Sequence, residues 1–398
     1  MNMTTFDSTS RVRKHRIIKN ANIILEDDVI HSGAIAFHED GIEAIGRFED
    51  MDTEGAEIID AAGGWVMPGF IDIHVHGGGG HDFMESSREA FDGITRFHAS
   101  HGTTGMLATS VTAPKEAIDK MLAALAEYRT GGSAYAQLLG AHLEGPFISP
   151  SYPGAQNPNY IVPPRTDWVE EWTARFPGVV KMISFAPETE GALELASQLA
   201  AKGIVAAAAH TNATYDQVEK AVARGLSHAV HTFNAMKGLH HREPGVVGAV
   251  LSEDRITAEV IADGHHVHPA GIKLLAKAKP DDRLVLITDA ISAAGLPDGP
   301  YSLGGLAVTV KDGVARLTGT DTLAGSTLNM MQAYRFAVEV IGLDMPRASR
   351  LASLNPAKRL GLDAATGSLI PGKQADIVLA SADLQVRKVW VQGREVGA

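Results

Sequence analysis

The chain has no cysteine in its 398 residues. Disulfides, thiolate metal sites and a cysteine nucleophile are therefore excluded, so any metal must be held by nitrogen and oxygen. Long apolar runs are missing as well. No stretch reaches the ~18 to 20 residues of a membrane helix, and residues 1–19 lack the apolar block of a secretory signal. With the missing cysteines, this predicts a cytoplasmic protein with no membrane partner. Positive charge is also in deficit: a net charge of −12 gives no general attraction for nucleic acid, so an anionic ligand must be met by a local site. The basic stretch 11–19 reads either as a targeting or anion-binding patch or as a solvated lead-in to a first strand. The acidic remainder favours the second. No Gly-x-Ser-x-Gly elbow is present, which argues against a serine nucleophile.

What is present is enough to build an enzyme. At 45% hydrophobic and 21% charged residues, the chain buries a large core and has room for one big domain plus a smaller one. Short β-rich runs at 17–18, 21–25, 34–37, 42–45 and 56–59 are separated by Asp, Asn and Gly turn signals, and further runs at 367–371, 375–379 and 386–392 close the chain. Neither end has enough strands to bury two faces. Both are therefore expected to combine in one small β-sandwich domain, residues 1–65 and 366–398.

Residues 66–365 alternate apolar runs with longer stretches of helical spacing, such as 115–128, 192–202 and 215–224. Eight runs are counted, at 65–76, 104–110, 137–144, 180–188, 204–210, 229–233, 257–266 and 283–289. Eight strands with intervening helices predict an α/β fold, a (β/α)8 TIM-like barrel. Buried barrel strands are apolar throughout, so the point where each run turns polar marks the mouth. The polar exits are Asp72, His74 and His76; His142 and Glu144; Glu188; His210; His231; Asp263, His265 and His266; and Asp289.

His74-Val75-His76 places two imidazoles on one strand face, where both can reach one cation. With His210, His231 and Glu144 at other strand ends, the set suits zinc, iron or manganese. His98, His101, His240 and His241 fall on expected helices or loops and read as solvated or capping side chains. Asp289 ends the apolar run 284–288. It has three readings: metal ligand, helix cap, or base for a water whose pKa a metal lowers. Its place opposite the histidines favours the base.

The segment Pro68-Gly69-Phe70-Ile71-Asp72-Ile73-His74-Val75-His76-Gly77 resembles the opening metal motif of the amidohydrolase superfamily. His142-Leu143-Glu144-Gly145-Pro146-Phe147, His210-Thr211-Asn212-Ala213, His231-Thr232-Phe233-Asn234-Ala235-Met236, Arg242-Glu243-Pro244-Gly245, Ala262-Asp263-Gly264-His265-His266-Val267, Thr288-Asp289-Ala290 and Leu323-Ala324-Gly325-Ser326-Thr327 follow in order. Across essentially the whole chain, through Pro371-Gly372-Lys373-Gln374-Ala375-Asp376, they are similar to the N-acetylglucosamine-6-phosphate deacetylases of that superfamily.

The resemblance implies a divalent metal, Zn2+ or Fe2+, on Glu144, His210 and His231, with Asp289 as general base and acid. Some members carry Gln and Asn in place of His74 and His76 and bind one metal. The histidines here leave room for a second, so one or two per subunit, with Glu144 bridging. Relatives that bridge two metals with a carbamylated lysine place it at the end of strand four, where this chain has Glu188; Lys181 lies near that strand's other end.

For the substrate, the resemblance implies an amino-sugar phosphate contacted by Asn234, Ala235, Arg242 and His266, with Arg242 reaching the neighbouring subunit's phosphate in a homodimer. Arg suits phosphate because its planar fork donates two parallel charged hydrogen bonds. Gln156 stands where several members have a histidine that polarises the amide carbonyl, and Gln donates without carrying charge. The rival activities are N-acetylgalactosamine-6-phosphate deacetylation and N-acyl amino acid hydrolysis. A non-catalytic sugar-phosphate sensor would have lost ligands that are all present here.

Overall fold

The computed structural model describes residues 14–397, and the start of the basic stretch, residues 11–13, lies outside them. Eight parallel strands form one sheet in sequential order: β1 (Phe70–Val75), β2 (Thr103–Ser110), β3 (Gln137–Glu144), β4 (Val180–Phe185), β5 (Val205–Ala208), β6 (Leu226–Ala229), β7 (Thr257–Ile261) and β8 (Leu284–Ile287). Every strand residue of β1, β2, β5, β7 and β8 is buried, as expected of strands covered by helices outside and side chains inside. The amphipathic stretches form Lys115–Gly131, Ala192–Ala201 and Tyr215–Val222. The expected (β/α)8 barrel is the architecture found.

Closure between β1 and β8 uses few ladder bonds. The Asp289 N–H donates to the His74 carbonyl at 2.9 Å, and the His76 N–H donates to the Ala290 carbonyl at 2.8 Å. Below them the Asp72 carboxylate, fully buried in β1, accepts from the Thr288 hydroxyl at 2.5 Å. Burial pushes the Asp72 carboxyl up to about 7, against the pull of Thr288. The seam thus positions His74, His76 and Asp289 together.

Two runs are placed differently from expectation. The run at 65–76 is two strands: Trp65–Pro68 joins the end sheet, pairing with Ile377–Ala380, and Phe70–Val75 enters the barrel. The chain crosses between them at Gly69, where an added Cβ would lie 2.1 Å from the Thr104 hydroxyl. The sixth run sits too late. The strand is Leu226–Ala229, and 230–233 already turn out of it. Ser227 and His228 interrupt its apolar character, which hides it.

The chain ends form one eight-stranded sheet. Arg16–Ile24 pairs antiparallel with Val29–His38 on one side, and on the other runs parallel to Glu57–Asp60 and then to Trp65–Pro68. Phe37 and Trp390 lie on strands far apart in that order, yet their rings meet edge-on at 5.3 Å. The sheet therefore curls over its own core of Ile18, Ile23, Ile35, Phe37, Ile377 and Trp390, as a sandwich does. The run at 367–371 adds no strand. A three-stranded meander not read from the sequence, Gly299–Leu303, Leu306–Lys311 and Val314–Leu317, follows β8 and brings Leu303 to the mouth.

Candidate metal centre

At the C-terminal ends of the strands, a cavity of about 560 Å³ is lined by His76, Glu144, Gln156, His210, His231, Asn234, Ala235, His266, Asp289 and Leu303, among others. His74 lies just beneath, fully buried. The strand ends are bent to aim these side chains. His210, His231, Phe233, Ala235 and Asp289 all have positive φ, from 27° to 82°. Each such residue costs of order 1–3 kcal/mol, and such strain collects where a site over-determines the backbone.

Glu144 is the hub. Its Oε1 lies 3.0 Å from His231 Nε2, 3.2 Å from His210 Nε2 and 3.3 Å from His74 Nε2. Its Oε2 lies 3.2 Å from His76 Nε2, which is also 3.2 Å from Asp289 Oδ1. The Nε2 atoms of His210 and His231 face each other at 3.3 Å. Two subsets, His74–Glu144–His231 and His74–His76–Asp289, have ligand atoms mutually within 4.8 Å.

For three of the rings the far side decides which nitrogen is free. His74 Nδ1 donates to Glu259 Oε2 at 2.9 Å, His76 Nδ1 to the Thr109 carbonyl at 3.3 Å and His210 Nδ1 to the Tyr152 carbonyl at 3.1 Å. A proton fixed on Nδ1 leaves the Nε2 lone pair aimed inward, as in metal-ligating histidines with an outer acceptor. His74 Nε2 is buried with no hydrogen-bond partner despite its nearness to Glu144. The four Nε2 atoms gather around the Glu144 carboxylate, and this donor set of imidazoles and carboxylates fits a divalent cation.

Electrostatics agree. Burial alone would raise the carboxyls of Glu144 and Asp289, but the surrounding histidines, His74 foremost, hold both below the usual range. Both carboxylates therefore stay ionised. Burial opposes charge on His76, yet its bonds to Asp289 and Glu144 carry it up to about 10. The cluster draws positive charge in.

The remaining expected residues fall into three groups. Asn234, Ala235 and His266 line the cavity, His266 being held by Asp263 at 2.7 Å. Gln156 lines it too, but both ends of its amide are engaged: Oε1 accepts from the Thr112 N–H at 2.7 Å and Nε2 donates to Glu144 Oε2 at 2.5 Å. It holds Glu144, and one N–H of its amide remains at the cavity. Arg242 is exposed, outside its own cavity, against His241 at 2.7 Å. Glu188 accepts from Thr211 and the Asn212 N–H, bracing the loop after β5. His98 is buried and bonds the Gly77 carbonyl, with burial pushing its pKa down to about 4. His101 bonds its own helix at Phe97.

Sequence reasoning missed Glu259 and His228. Glu259 lies in the middle of β7, fully buried, and bonds His74 and His228. The signal was a lone carboxylate inside the apolar run Thr257-Ala258-Glu259-Val260-Ile261, where a charge persists only if paired.

A (β/α)8 barrel carrying a histidine–carboxylate cluster at its C-terminal mouth defines the class of hydrolases that work on metal-polarised amides and esters. The chain belongs to the amidohydrolase family, whose model matches residues 65–396. It is 41% identical to the N-acetylgalactosamine-6-phosphate deacetylase of Escherichia coli O157:H7, over 83% of this chain and 87% of that protein. It is 37% identical to the N-acetylglucosamine-6-phosphate deacetylase of Bacillus subtilis, over 93% and 94%. Among solved structures it is similar to a variant of N-acetyl-D-glucosamine-6-phosphate deacetylase from Mycobacterium smegmatis in complex with N-acetyl-D-glucosamine-6-phosphate. There the TM-score is 0.91 at 36% identity, over 97% of this chain and all of that one.

Proposed function

We propose that the chain deacetylates N-acetyl-D-glucosamine 6-phosphate to D-glucosamine 6-phosphate and acetate in amino-sugar catabolism. The observation that carries this is the convergence of four Nε2 atoms and the Glu144 carboxylate beside Asp289, in a cavity that also holds Asn234 and His266. Glu144, His210 and His231 would hold one cation, Zn2+ or Fe2+, and His74 and His76 with Glu144 would make room for a second. A bound cation supplies positive charge that polarises an amide carbonyl and makes water a better acid.

The chain's own residues do the rest. Asp289, ionised and at the cavity wall, takes a proton from the attacking water. As the C–N bond breaks it returns that proton to the leaving amine, so acetate and the free amino sugar result. Gln156 keeps the Glu144 carboxylate turned toward the histidines. Asn234, the Ala235 backbone and His266 orient the sugar phosphate. Arg242, exposed on a segment that also exposes Leu239, reaches the phosphate bound by the neighbouring subunit of a homodimer. No helix among the described residues is long and apolar enough to cross a membrane.

The deciding experiment is acetate release from N-acetylglucosamine 6-phosphate, from its galactose epimer and from N-acetylglucosamine without phosphate, on protein whose metal content is measured. Faster turnover of the galactose epimer favours the second reading, which the Escherichia coli relative supports. Equal rates with and without phosphate overturn the sugar-phosphate assignment.

A further inference from the structure

Glu259 is a fully buried carboxylate that no lysine or arginine pairs with among the described residues. Its charge is met by three N–H groups: His74 Nδ1 at 2.9 Å and the His231 backbone at 3.2 Å on Oε2, and His228 Nε2 at 2.8 Å on Oε1. An unpaired charge at this depth would cost several kcal/mol, and an apolar side chain would fill the same strand position without that risk. The residue is therefore explained by what it holds.

We propose that Glu259, steadied by His228, is the positioning residue that makes His74 a metal ligand and so gives this chain a second cation position. The proposal rests on the metal reading of the cluster given above. By accepting the Nδ1 proton, Glu259 leaves the Nε2 lone pair facing Glu144 Oε1 and Asp289 Oδ1, at 3.3 and 3.6 Å. Without that acceptor the imidazole has no reason to prefer this tautomer, and Nε2–H would turn a ligand into a donor. The ring has little freedom to turn away, because His142 packs edge-on against it at 4.6 Å and is itself held by Ser184. Oε2 also takes the His231 N–H, so one carboxylate ties a ligand of the second position to a ligand of the first.

The test uses Glu259→Gln, nearly the same shape, with His74→Gln and the double variant. Cations per chain and chelator-competition affinities are measured on the full-length protein, alongside its melting temperature after metal removal. Glu259→Gln is expected to weaken the weaker-bound cation by about 10–100-fold, the range for losing an outer partner of a ligand. His74→Gln should do the same or more, and the double variant should add nothing to it. If Glu259→Gln keeps wild-type affinities while His74→Gln loses a cation, the positioning role is wrong and the metal reading stands. If His74→Gln also keeps them, His74 is no ligand and both fall. Loss of all cations with a collapsed melting temperature in Glu259→Gln would make Glu259 a structural residue and overturn the proposal too.

Discussion

The barrel has a large cavity at each end, and the two are alike in size but not in the side chains that line them. The mouth encloses about 560 Å³, and the opposite end, between the starts of β3 and β4 and the last strand of the end sheet, about 610 Å³. The lower cavity is lined by Arg129, Lys181 and Arg394 with the one carboxylate Glu395, and by no histidine. Both groups of side chains able to hold a metal, among the described residues, lie at the mouth. Volume does not mark the active end. What marks it is strand ends turned to positive φ, rings fixed from behind and ionised carboxylates in front.

The sharpest way to break this contrast is Asp289→Asn, which keeps shape and removes the base. With cation content unchanged, kcat should fall by about 10²–10⁴-fold, the range for one acid–base group. Near-wild-type turnover with metal bound would remove Asp289 from the chemistry. Next comes Arg242→Ala, expected to lower kcat/KM by about 10–150-fold through the loss of a charged hydrogen-bond donor worth about 1.5–3 kcal/mol. Mixing Arg242→Ala with Asp289→Asn subunits should raise kcat/KM above the mean of the two parents, because a mixed dimer carries one intact site. Absence of recovery after verified subunit exchange would place Arg242 outside the neighbour's site.

The mouth was more legible in the sequence than the rest because its residues violate the pattern around them. His74, His76, Glu144, His210, His231 and Asp289 stand at or near the polar exits of apolar runs, and a buried strand tolerates polarity elsewhere only where the group is paired. The same logic hid β6, whose His228 is buried mid-strand opposite Glu259; a paired polar group looks like a break until its partner is seen. The meander after β8 has its own signature in the sequence. Gly304-Gly305 and Asp312-Gly313 are two-residue turn signals between alternating runs. Gln156 could not be read, since a glutamine shows nothing of which groups will take its two ends.

At the lower cavity the effects should fall on stability and spare catalysis. Gly140 sits at a register shift in β3, and a Cβ there would lie 2.4 Å from Lys181 Cγ and 2.6 Å from the Val179 carbonyl. Gly140→Ala is therefore expected to destabilise by about 1–3 kcal/mol, read by denaturant unfolding, with kcat unchanged. A matching fall in kcat would mean the two ends are coupled through β3 and Glu144.

The smallest effect, and the finest test, is Lys181→Met. Lys181 makes no ion pair among the described residues, and burial, with Arg129 nearby, holds its pKa below the usual 10.5. Between that lowered value and 10.5 the unfolded chain binds the proton that the folded chain releases, so wild-type stability gains from this residue as pH rises through the window. The methionine variant lacks that gain. The difference in unfolding free energy between the two proteins should therefore shift toward the wild type as pH climbs to 10.5, while kcat stays the same at every pH. A flat difference would mean that the Lys181 ammonium is solvated in the folded protein as freely as in the unfolded one.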